Sequence, residues 1–100
     1  MSEHARVIRI LVLRPVAGKH DELLKVAEEA AGRARQMEGC YGVQVCDVRE
    51  DPGDVCVMSR WADPSGPERM QKLNEEYRAQ YEPLLGGPPR LYHLTPISNE

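Results

Sequence analysis

The chain has 100 residues, with 13 Lys and Arg against 16 Asp and Glu, for a net charge of −3. That length supports one domain with one modest core, and the acidic balance argues against the basic face that nucleic acid or an anionic membrane requires. No apolar run approaches membrane-spanning length and Met1–Arg6 lacks a signal-peptide core, so a cytoplasmic chain without membrane or nucleic-acid partners is expected.

In chain order, Val7–Leu13 alternates as a strand, with Ile8, Ile10 and Val12 on one face and Val7, Arg9, Leu11 and Leu13 on the other. Both faces are apolar except for Arg9, which predicts a central strand covered on both sides. Pro15–Gly18 ends it, and a helix is predicted from about 19 to 38, with Leu23, Ala27, Ala30, Ala34 and Met37 in one apolar stripe. Gly39 is its expected stop. Residues 40–50 read as a second strand, and Asp51-Pro52-Gly53-Asp54 as the turn of a hairpin.

The organising strand follows: Val55-Cys56-Val57-Met58-Ser59-Arg60-Trp61, β-forming throughout and ending in the single tryptophan. Asp63-Pro64 fits the cap of a second helix, and Ser65-Gly66-Pro67-Glu68 fits a capping box. The helix stripe is Met70, Leu73, Tyr77, Tyr81 and Leu84, ended by Pro83 and Gly86-Gly87-Pro88-Pro89. Residues 90–97 give a short last strand, with Pro96 marking a sheet edge.

The order β-α-β-β-α-β is the ferredoxin-like α+β arrangement with a four-stranded antiparallel sheet, one domain over the whole chain with its core at about 6–97. Two helices cover only one face of such a sheet. The apolar second face of strand one then calls for a second copy of the chain, packed sheet against sheet as a homodimer.

Three cysteines, Cys40, Cys46 and Cys56, form no C-x-x-C pair or zinc spacing and read as ordinary thiols, with Cys46 and Cys56 able to face each other across the hairpin. Gly86-Gly87-Pro88-Pro89 follows a helix instead of opening one, the wrong polarity for a phosphate cradle. Arg9 needs either a ligand anion or an ion pair across the dimer with a carboxylate such as Asp47. Trp61 reads either as a wall that stacks on a planar ligand or as a core aromatic pinning the second helix to the sheet. Tyr77 and Tyr81 lie one helical turn apart on the buried stripe, where their hydroxyls either meet a substrate oxygen or stay at the rim of the core. Of the histidines, His4 and His20 sit at the terminus and in an early helical turn, which leaves His93 as the candidate proton acceptor.

The strand ending in Pro15-Val16-Ala17-Gly18-Lys19, the helix closing on Glu38-Gly39-Cys40, and Val57-Met58-Ser59-Arg60-Trp61 before a helix together resemble the antibiotic biosynthesis monooxygenase family, of the dimeric α+β barrel superfamily. The resemblance runs from about Arg6 to Ile97. It implies oxidation of a small phenolic or quinol-type aromatic by O₂ without flavin, metal or haem, hence no cofactor. The pocket would lie between sheet and helices, walled by Arg9, Met70, Tyr77 and Tyr81, with His93 and Trp61 as catalytic residues. Two positions depart from the pattern: Ser59 stands where members commonly carry glutamate, and Met70 where a helix-two histidine is common. Strand one also lacks the asparagine of the haem-degrading branch. These departures keep a second expectation open, a non-enzymatic small-molecule-binding or stress-related dimer of the same fold.

Overall fold

A computed structural model describes residues 4–98 and places four strands and two helices in the order β1 (Val7–Leu13), α1 (His20–Ala34), β2 (Cys40–Asp47), β3 (Val55–Trp61), α2 (Gly66–Tyr81) and β4 (Arg90–Leu94). The strands form one antiparallel sheet in the order β2-β3-β1-β4. This is the ferredoxin-like arrangement, and the two apolar strands occupy its centre.

The burial along β1 and β3 shows which face the helices cover. Arg9, Leu11 and Leu13 are buried, as are Val55, Val57, Ser59 and Trp61, and the register pairs Arg9 with Ser59, Leu11 with Val57, and Leu13 with Val55. Leu23, Ala27, Ala30, Ala31 and Ala34 of α1 meet this face, as do Met70, Leu73, Asn74 and Tyr77 of α2. The alanines let α1 approach closely. Ile8, Ile10, Val12, Cys56 and Met58 turn to the other face and are only half-buried. At the β4 edge Leu91, Tyr92 and Leu94 are 43%, 49% and 44% exposed, because β4 joins the sheet where helix cover is thin.

Several boundaries differ from the sequence expectation. The first helix ends at Ala34 and not near residue 38, because the chain tightens into three-residue turns, with Gln36 N–H bonding the Arg33 carbonyl and Met37 N–H the Ala34 carbonyl. The turn closes at Gly39, with φ of +81°. A Cβ there would lie 3.0 Å from Arg69 Nη2 and 3.3 Å from Asp63 Oδ2. The second strand stops at Asp47, short of residue 50, and the last at Leu94, two residues before Pro96.

Ser65 holds the N-cap position of α2 without capping it through its side chain. The Asp63 carboxylate instead accepts from the Ser65 backbone N–H and hydroxyl, while Ser65 Oγ accepts from Arg69 Nη1 at 2.9 Å. Cys46 and Cys56 are direct partners in the hairpin register, and both are free thiols. Burial is the main cause of the raised Cys56 pKa, with the neighbouring Cys46 adding to it.

Candidate active site

Between the helix-facing side of the sheet and the two helices the packing leaves a cavity. Leu11, Leu13 and Val57 form its floor, α1 contributes Leu23 and Ala27, and α2 contributes Met70, Asn74, Tyr77 and Tyr81. Its free space is about 20 Å³ for the centre of a water-sized sphere, which holds roughly one water and no aromatic ring. Tyr81 is half-buried and also lines an outer groove of about 440 Å³ by the same measure, together with Arg78, Glu82 and the Gly86–Pro89 turn. Tyr81 therefore stands in the wall that the inner cavity shares with the outer groove.

Two residues before Leu11 on the same face stands Arg9, whose side chain is buried to 1% exposure. Its Nη2 donates to Gln71 Oε1 at 2.8 Å, and Gln71 Nε2 donates in turn to Glu75 Oε1 at 2.9 Å. That second bond fixes the carboxamide so that its oxygen faces the arginine. Arg9 Nε and Nη1 have no hydrogen-bond partner, and no carboxylate among the described residues pairs with it. Burial pulls the guanidinium's pKa below its ordinary value, and the Tyr81 phenol acts against that shift. Asp47 pairs with His20 Nε2 at 2.9 Å.

His93 is the cross-strand partner of Arg9 in the β1–β4 register. Directly opposed residues share a face with Cβ atoms roughly 5 Å apart, so the imidazole projects on the helix-facing side. It is exposed, and it does not line the cavity. Tyr77 and Tyr81 do line it, as does Met70 at 1% exposure. The Arg33 guanidinium lies over the Tyr77 ring at 5.7 Å and pairs with Glu76 at 3.0 Å, so an ion pair closes the α1–α2 seam above this phenol.

Trp61 sits elsewhere. It is fully buried, is not among the cavity's walls, and donates from Nε1 to Ser59 Oγ at 2.9 Å. Its ring lies against the first residue of α2: a Cβ on Gly66 would come within 2.5 Å of the indole, so only glycine permits this approach. Arg69 covers the ring at 5.8 Å. Ser59, at the place of the common glutamate, thus serves as the acceptor for the buried indole N–H.

Asn74 is the polar cavity residue that the sequence stripe left out. It falls four residues after Met70 and three before Tyr77, on the same helical face, and that spacing was its signal. Gln71 carried no comparable signal, being one position off the stripe.

The antiparallel sheet with two helices on one face, and a cavity beneath the second helix, defines a ferredoxin-like α+β sandwich. The sequence pattern of the antibiotic biosynthesis monooxygenase family matches residues 6–72, and the chain belongs to that family. Among solved structures, the chain is similar to Rv0793 from Mycobacterium tuberculosis, with 19% identity, a TM-score of 0.82, and coverage of 92% of this chain and 95% of that one. PA3566 from Pseudomonas aeruginosa gives 17% identity and a TM-score of 0.81, over 98% and 100% of the two chains. A Caulobacter crescentus CB15 protein named for the same family gives 17% and 0.83, over 96% and 93%. At these identities the likeness concerns the fold. No curated protein matches the chain. Among the described residues no helix is long and apolar enough to cross a membrane, and no three His, Cys, Asp or Glu side chains cluster as metal ligands.

Proposed function

We propose that the chain is a cofactor-independent monooxygenase acting on a small phenolic or quinol-type aromatic with O₂, working as a homodimer. The observation that carries this reading is the cavity under α2, lined by Tyr77, Tyr81 and Asn74, beside a buried guanidinium with unused donors. The substrate ring displaces the Tyr81 wall and enters between α2 and the sheet. His93 takes the proton of the acidic C–H or O–H, and Tyr77, Tyr81 and Asn74 offer hydrogen bonds to the resulting anion in a site shielded from water. The electron-rich anion reduces O₂ directly. For an anthrone, one oxygen atom becomes the new carbonyl at the methylene carbon, and the other leaves as water with the two methylene hydrogens. No external reductant is consumed. Met70 is an apolar wall, and Trp61 acts by holding the start of the helix that lines the site.

The half-buried apolar residues of the open sheet face, Ile8, Ile10, Val12 and Met58, with the exposed Tyr92 and Leu94 at its edge, support the dimer. The second reading, a dimer that binds a small molecule without turning it over, is favoured by Met70, which puts no proton acceptor inside the cavity.

Oxygen uptake by the metal-stripped protein, measured over anthrones, hydroquinones and catechols, separates the two. The expected result is uptake above background that falls about a hundredfold or more in His93→Ala, the usual scale for a lost general base. Uptake unchanged in that variant removes His93 from the mechanism. Ligand binding without uptake across the panel selects the second reading.

A further inference from the structure

Arg9 poses a problem that the fold does not solve. A guanidinium carries five N–H donors and no acceptor, yet this one is 1% exposed and has a single partner, the Gln71 carbonyl oxygen. A buried cation without a counter-charge is costly, and an apolar residue of similar size would serve the core at least as well. The surroundings are also prepared. Gln71 is locked toward Arg9 by Glu75, the cavity floor begins two residues along β1 at Leu11, and the neighbouring face of β4, at His93, lies open to solvent.

The pattern of unused donors narrows the missing group. Nε and Nη1 are both without partners. They lie on opposite edges of the guanidinium, each beside Nη2, which keeps a second N–H beyond the one given to Gln71. A planar anion with two oxygens takes the edge that Gln71 leaves open, pairing Nη2 with Nε or with Nη1, and supplies the missing counter-charge. We propose that Arg9 is the anchor for a carboxylate on the ligand, so that the substrate is an aromatic carboxylic acid whose acid group sits on Arg9 while its ring lies along Leu11 toward Tyr81. This rests on reading the cavity as the substrate site. The carboxylate is a handle that stays ionised and does not react. Its charge fixes which ring position faces the cavity end, and so selects among aromatics that an apolar slot alone would not tell apart.

The test uses 2-naphthoate and its neutral isostere 2-naphthamide, titrated calorimetrically into the purified chain. Wild type is expected to bind the naphthoate roughly thirtyfold or more tightly than the amide, the scale of a buried, hydrogen-bonded charge pair. In Arg9→Met the naphthoate should lose that advantage while the amide binds as before. The wild-type comparison needs no variant, so a folding defect in Arg9→Met cannot hide the answer. Equal binding of the two probes, binding of neither, or a preference for naphthoate that survives in folded Arg9→Met overturns the proposal. Oxygen uptake measured in parallel separates it from the oxygenase reading. A carboxylate preference without turnover of any carboxylated phenol keeps the anchor and rejects the oxygenase. Turnover of neutral substrates with no carboxylate preference does the reverse.

Discussion

Trp61 and Arg9 lie on adjacent central strands, both under α2, and both bury a large polar side chain. Trp61 has its indole N–H paired with Ser59, its face against Gly66 and its outer side under Arg69. Nothing about it is left over. Arg9 is as deeply buried, and two of its three nitrogens have no partner. The first region is finished as a piece of core, the second finished only when something else is bound. The difference separates two meanings of a buried polar residue. Where all donors are met, the residue specifies packing; where they are not, the fold carries a cost that is recovered in a complex.

Substitutions can break this contrast. The largest expected effect is at Trp61→Ala, which empties a fully buried site under the start of α2 and should cost about 3–5 kcal/mol. Urea titration followed by far-UV circular dichroism reads that loss. Gly66→Ala pushes a methyl group into the indole and should cost about 1–3 kcal/mol. Ser59→Ala leaves the buried indole N–H without an acceptor and should cost a similar amount, about 1–3 kcal/mol. Equal stability of Ser59→Ala and wild type would show that the Trp61 region is less complete than described.

A smaller effect is expected at the surface. His20 joins Asp47 and Asp21, and the hydrogen bond to Asp47, with that to Asp21 next, raises its pKa. The protonated form is the stabilised one. Its contribution is therefore fully present below the ordinary imidazole pKa of about 6.5 and disappears as pH rises through the raised value. NMR titration should find the His20 pKa lowered toward its ordinary value in Asp47→Asn, while Asp21→Asn gives the lesser fall.

The order of elements was legible because period-2 and period-3.6 patterns alternate cleanly along the chain, and Arg9 stood out as the one charge on an apolar strand face. What it faces was not legible. Only the placement of α1 and α2 decides which side of the sheet is covered, and alternation alone does not carry that information. The pairing of Arg9 with His93 likewise needs the strand order β2-β3-β1-β4, since the two residues are distant in sequence. Trp61 is similar. Gly66 reads as part of a turn, and its role as the bare surface on which the indole rests appears only when the two are brought together. Met37 continues the apolar stripe of α1 although the backbone has already left helical geometry at Ala34, so the pattern in the sequence runs past the helix end. Met37 still packs against the core from the turn.

The central claim is that Arg9 serves a ligand and not the fold, and the stability of Arg9→Met tests it most directly. Replacing an unpaired buried cation with an apolar side chain of similar length is expected to leave the free energy of unfolding unchanged or to raise it, by about 1 kcal/mol or more. Urea denaturation of the two proteins, each free of ligand and with equal m-values, gives the comparison. A variant at least as stable as wild type is the predicted result. A loss of about 2 kcal/mol or more would contradict the account, because Arg9 would then be holding the core together much as Trp61 does.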